Sequence, residues 1–140
     1  MLKSESRLCN NRQAFGLARD LLLEGESVRM TVRGQSMLPF FLSGSTILLH
    51  PLGDQPLRRG DVVMAETPQG NFVVHRLYRI EGEMITLLGD GNVKTEQMPR
   101  GQVYGRVSIS KLHRFLGLLW QWMRPVRRFP LAFLRRITPK

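Results

Sequence analysis

Three side-chain types that together can activate a nucleophile occur in separate segments of this chain: Ser36, His75 and Asp90. A serine hydroxyl attacks a carbonyl poorly until a neighbouring base removes its proton. An imidazole can act as that base near neutral pH when a carboxylate fixes its tautomer. If the fold brings these residues together, the chemistry they predict is nucleophilic attack on a carbonyl.

Each candidate also has a simpler interpretation. Ser36 follows Gly34 by two positions, and such a short pattern also fits a solvated serine in a turn. His75 lies in a strand-like run, where a histidine is often a packing residue. Asp90 and Glu96 flank a Gly-Asn turn and are of the type that forms turns, although either could accept a proton from the imidazole.

The pattern of the chain predicts a β domain with a helical segment on each side. Helical spacing over residues 13–23 is followed by Gly25, and β-rich runs with turn residues between them cover 28–32, 46–50, 61–66, 71–80, 84–88 and 103–110. Alternation in the fourth run places Val73, His75 and Leu77 on one face. We expect an N-terminal helical segment at 1–26, a mostly antiparallel β domain at 27–110 and a tail at 111–140.

Charge is concentrated in the tail. Residues 1–110 hold 13 Lys/Arg and 11 Asp/Glu (net +2), whereas 111–140 hold 8 Lys/Arg and no acid (net +8). The lone Cys9 cannot form an internal disulfide, which fits a reducing compartment. No signal peptide and no apolar run long enough to span a bilayer are visible, so we expect a cytoplasmic or peripheral membrane protein. The sequence predicts no metal site and no cofactor.

Five blocks, in order, resemble the superfamily that includes type I signal peptidases and self-cleaving SOS-type repressors. The resemblance covers about residues 27–110, and the blocks are Ser36-Met37-x-Pro39, Gly60-Asp61-Val62-Val63, a basic residue before Arg76, Gly89-Asp90-x-Asn92 and Val103-x-Gly105-Arg106-Val107. Bacterial signal peptidases and the repressors carry lysine at the place of His75, whereas the archaeal and endoplasmic-reticulum enzymes carry histidine. The chain therefore resembles the histidine-type branch.

The resemblance implies an irregular β-barrel and a serine endopeptidase that cleaves a precursor or partner peptide. Ser36 would be the nucleophile, and His75 would be the base and then the acid for the leaving amine. Asp90 and Glu96 align with paired aspartates, so Glu96 is a departure with a longer side chain. Gly34 stands where some relatives have a hydroxyl, which leaves backbone amides to stabilise the oxyanion. The alternatives are a non-catalytic peptide-binding module on the same fold and an enzyme that cleaves its own chain.

The basic tail is amphipathic. Apolar residues recur every three or four positions from 112 to 137, and the prolines at 125 and 130 predict a helix over Lys111–Met123 followed by a shorter piece. Trp120, Trp122 and the basic residues suit a membrane face or a membrane protein as a contact. The alternatives are a helix packed on its own domain with its arginines in solvent and, less favoured, binding to nucleic acid.

Overall fold

Within the described residues, seven strands form one antiparallel sheet at the centre of the protein. The computed structural model describes residues 11–33, 37, 39–41, 44–91, 94–123 and 128–138. The strands are β1 Val28–Thr31, β2 Thr46–Pro51, β3 Val62–Glu66, β4 Phe72–Glu81, β5 Met84–Leu88, β6 Glu96–Pro99 and β7 Val103–Val107. Their order across the sheet is β1-β2-β7-β3-β4-β5-β6. The prediction of a mainly β domain is confirmed.

The sheet is open, which corrects the expected barrel. β1 and β6 lie at opposite ends of the strand order, and across the described part of the chain each pairs with one neighbour only. Both edge strands are four residues long, so neither offers a long ladder for closure. The register shifts between Met64 and Ala65 and between Leu77 and Arg79, and such bulges bend and twist a strand.

Both faces of the central strands are buried. Val62 and Met64 belong to one apolar cluster, whereas Val63 and Ala65 belong to another on the opposite face. Helix α1, Asn11–Leu23, covers the first face with Ala18 and Leu22. A Cβ at residue 105 of β7 would lie 2.8 Å from a Leu22 methyl group, so Gly105 permits the close approach of this helix. Burial on both faces explains why β3 is apolar along most of its length.

Two further helices lie in the tail, α2 Lys111–Trp122 and α3 Arg128–Ile137. A short 3-10 turn, Arg100–Gln102, lies between β6 and β7. Ser110 caps α2, because its hydroxyl accepts a hydrogen bond from the backbone N–H of His113 at 3.0 Å. Arg114 of α2 forms an ion pair with Asp61, which is 1% exposed and also accepts from the Arg58 N–H at 2.8 Å. This ion pair therefore holds α2 against the sheet domain.

The element boundaries depart from expectation at two places. β6 was not predicted, because Glu96 and Pro99 have low strand propensity. The last predicted run reaches Ser110, but β7 ends at Val107 and Ser110 caps α2 instead. Among the described helices, none is long and apolar enough to cross a membrane.

Candidate active site

A hydrogen bond joins the side chains of His75 and Glu96. His75 Nδ1 lies 2.5 Å from Glu96 Oε1, and His75 is 5% exposed. Because an ionised carboxylate can only accept hydrogen bonds, it holds the proton of a neutral imidazole on Nδ1. The lone pair then lies on Nε2, which is the state that a general base requires.

Glu96 reaches His75 from a strand that is not adjacent to β4. His75 pairs with Val63 of β3, whereas Glu96 begins β6 and pairs with Leu87 of β5. β5 lies between β4 and β6. Neighbouring strands are about 4.8 Å apart, so a side chain of β6 has to cross the width of β5. The longer side chain of glutamate, which set this position apart from the expected aspartate, suits that span.

Asp90 contacts the residue that follows His75 in the chain. Its two carboxylate oxygens accept from Nε and Nη2 of Arg76 at 2.9 and 2.8 Å, and both side chains are at most 1% exposed. Of the two acids expected beside the imidazole, the structure brings Glu96 to His75 and Asp90 to Arg76. Removing one member of a buried, hydrogen-bonded ion pair typically costs about 3–5 kcal/mol, because the other charge is left uncompensated.

Helix α2 packs directly on this ion pair. The Nη2 of Arg76 lies 2.9 Å from His113 Nε2, and the indole N–H of Trp120 donates to the carbonyl oxygen of Asp90 at 2.7 Å. Gly117 faces the guanidinium so closely that an added Cβ would overlap Arg76. The tail helix is therefore part of the structure that positions Arg76 and Asp90.

The contact with Arg76 determines the protonation of His113. A guanidinium can only donate hydrogen bonds, so His113 Nε2 accepts and its ring proton lies on Nδ1. Burial and, secondly, the positive charge of Arg76 lower the pKa of His113 from 6.5 to about 4. The ring is consequently neutral at physiological pH, as this hydrogen bond requires.

The segment that follows Ser36 is also held by these residues. The backbone N–H of Asp90 lies 3.4 Å from the Met37 sulfur, and the guanidinium of Arg76 stacks over the Phe40 ring at 5.1 Å. The Phe40 ring also meets that of His113, with 5.0 Å between the ring centroids. Ser36 itself lies outside the described residues, and its assignment as nucleophile stays a prediction.

A cavity of about 320 Å³ brings His75 and Met37 together. Its lining also includes Arg33 and the β1 residue Thr31. Most of the remaining lining side chains are apolar: Phe15, Val32, Phe41, Ile47, Phe72, Val73 and Val74. The cavity thus combines a positioned imidazole with an apolar surface that Met37 also borders.

A family model described as Peptidase S24-like matches residues 4–107. The chain belongs to this family. The match spans α1 and the whole sheet, and it confirms the superfamily that the five sequence blocks indicated. No curated protein matches the chain. The S24-like family is one of peptidases, whereas the histidine-type branch remains a prediction from His75.

Sequence reasoning did not connect the tail of this S24-like protein with the candidate site. The contacts that it did not foresee are those of Arg76 and Trp120 with Asp90 and those of His113 and Gly117 with Arg76. A signal was present in the helix periodicity, because positions 113, 117 and 121 lie on one helical face and carry polar or small residues that an apolar-core helix would not place there.

Proposed function

We propose that this S24-like protein is a serine endopeptidase with Ser36 as nucleophile, His75 as general base and Glu96 as the group that orients the imidazole. The observation that carries the proposal is the 2.5 Å contact between His75 Nδ1 and Glu96 Oε1. The cavity that includes both His75 and Met37, the residue after Ser36 in the chain, supports it. Membership of a peptidase family supports the reaction class.

In this mechanism, His75 Nε2 takes the proton of the Ser36 hydroxyl as the oxygen attacks the scissile carbonyl. The resulting imidazolium gives that proton to the leaving amine, and water then hydrolyses the acyl-enzyme with His75 again as base. Glu96 keeps the Nδ1 proton in place and stabilises the imidazolium when it forms. Backbone amides near Ser36 are the expected donors to the oxyanion.

The substrate in this proposal is an extended segment of a precursor or partner peptide. Thr31 and Val32 border the cavity at the end of β1. β1 is an edge strand, paired on one side with β2 in the part of the chain that the structure describes. Free edges of this kind bind extended peptides through main-chain hydrogen bonds, while adjacent pockets receive alternate side chains.

Labelling with a fluorophosphonate probe tests the proposal, since the probe reacts with activated serines. We expect the wild type to be labelled and Ser36→Ala to be silent. Glu96→Gln should slow labelling by about 10²- to 10⁴-fold, because loss of the carboxylate leaves the imidazole tautomer unfixed. Glu83→Gln, which removes an exposed carboxylate from the β4–β5 turn, is the matched control and should label at the wild-type rate.

Labelling that survives in Ser36→Ala would remove Ser36 as the nucleophile. Equal rates for Glu96→Gln and Glu83→Gln would remove the orienting role of Glu96. A wild type that is never labelled but binds peptides in its cavity without turnover would replace the endopeptidase with a peptide-binding module on the same fold.

A further inference from the structure

The two tail helices direct apolar side chains away from the sheet. On α2, exposed apolar residues follow helical spacing and have 40–79% of their surface accessible: Leu112, Phe115, Leu116, Leu119 and Trp122. On α3 the same holds at a spacing of four residues, with exposures of 62–66%, for Phe129, Phe133 and Ile137. We call these two stripes the outer faces of α2 and α3.

The opposite side of α2 is already occupied by the sheet domain. Gly117 packs on the Arg76 guanidinium, Gln121 is 3% exposed and Arg114 is paired with Asp61. In a soluble amphipathic helix the apolar stripe normally faces the core. Here the two buried residues of α2 are Gly117 and Gln121, and five apolar residues of the helix are left towards solvent.

The charge of the tail indicates what could cover the outer faces. Residues 111–140 carry eight Lys/Arg and no Asp/Glu. Basic residues around leucines and aromatic rings match an anionic lipid surface, where rings enter the headgroup region and cations contact phosphates. A second copy would bring two strongly positive tails together, and nucleic acid would leave the leucines in water.

The lengths of the helices determine how they would meet a bilayer. α2 has 12 residues and α3 has 10, which corresponds to about 18 and 15 Å of helix. A hydrocarbon core is about 30 Å thick, so these helices suit the plane of the interface. We propose that the outer faces of α2 and α3 bind the surface of an anionic lipid bilayer and hold the sheet domain against it.

Flotation of the full-length protein with vesicles tests this proposal. Vesicles of phosphatidylcholine alone are compared with vesicles that also contain phosphatidylglycerol. Phe115→Ser/Trp122→Ser should lower the partition coefficient on anionic vesicles by roughly tenfold or more, because the substitutions remove two apolar side chains that would enter the bilayer interface. The matched control is Leu23→Ser/Met84→Ser, which removes two exposed apolar residues outside the tail and should bind like the wild type.

Lys111→Gln/Arg136→Gln should weaken binding to anionic vesicles by about fivefold for each charge removed and leave binding to neutral vesicles unchanged. Trp122 should also shift its emission to the blue on anionic vesicles. Circular dichroism of each variant checks that the fold is retained.

Three results would overturn the proposal. One is a wild type that does not float with anionic vesicles. Another is equal binding by the tail double variant and its control. A third is self-association, or retention on nucleic acid, that depends on Phe115 and Trp122 while lipid binding does not.

Discussion

Gly117 is the point at which the tail helix touches the buried ion pair, and replacing it by alanine measures the strength of that contact. Gly117 lies in the middle of α2, and a Cβ built there overlaps the Nε, Cζ and Nη1 atoms of Arg76. In an open helix interior, Gly→Ala stabilises a protein by about 0.8–1 kcal/mol. The overlap opposes that gain.

Arg76 has little freedom to move out of the way. Its guanidinium donates to Asp90 at both oxygens, to the Gly60 carbonyl at 2.9 Å and to His113, and it is fully buried. Overpacking of a filled site typically costs about 1–3 kcal/mol, and a broken buried ion pair costs more. We therefore expect Gly117→Ala to lower the free energy of unfolding by up to about 2 kcal/mol after the gain in helix propensity is subtracted.

Urea unfolding of Gly117→Ala and Gly16→Ala provides the comparison. Gly16 also lies inside a helix, α1, but nothing lies within 4 Å of a Cβ added there. Gly16→Ala should raise the urea midpoint, because it shows the helix propensity without the overlap. If Gly117→Ala raises the midpoint by a similar amount, α2 does not pack on Arg76 in the way described, and the coupling of the tail to the site fails.

Two further substitutions examine the same contact. Since the pKa of His113 is lowered to about 4 in the folded protein from 6.5, the unfolded chain binds more protons over that range. The stabilisation by neutral His113 should therefore be complete above pH 6.5 and be lost as the pH falls towards 4. Between these pH values, the urea midpoint of His113→Gln should decrease less steeply with falling pH than that of the wild type. Parallel profiles of midpoint against pH would contradict this. Trp120→Phe keeps the ring but removes the hydrogen bond to the Asp90 carbonyl, so it should destabilise the protein by about 1–2 kcal/mol in the same assay; an unchanged midpoint would show that this bond contributes nothing.

Much of the sheet could be predicted because its strands obey simple rules. The alternation around His75 placed Val73 and Leu77 on one face; Leu77 belongs to the second apolar cluster and Val73 packs against it. Turn residues marked where most runs begin and end. β6 escaped prediction because its position depends on pairing with β5 and not on local propensity. Closure of the sheet was inferred from resemblance alone, and no local pattern in the sequence could test it.

The residues of the candidate site were predicted, but not which of their side chains contact each other. Both Asp90 and Glu96 were selected, yet the sequence could not tell which acid meets the imidazole, because that depends on the width of β5 and on where β6 begins. The role of Arg76 was hidden for a related reason. An arginine next to a candidate base looks like a solvated charge until a buried carboxylate and a helix are found on either side of it.

The position of Arg76 links two properties of the tail that the sequence presented as alternatives. A helix packed on its own domain and a helix bound to a membrane exclude each other if one apolar stripe has to face both. The structure removes the conflict, since α2 packs through Gly117, His113 and Trp120 and leaves the five apolar residues of its outer face exposed. A surface that binds the outer face would therefore act on a helix that already contacts Arg76, one residue from His75. Labelling rates measured with and without anionic vesicles would show whether that contact transmits lipid binding to the candidate base.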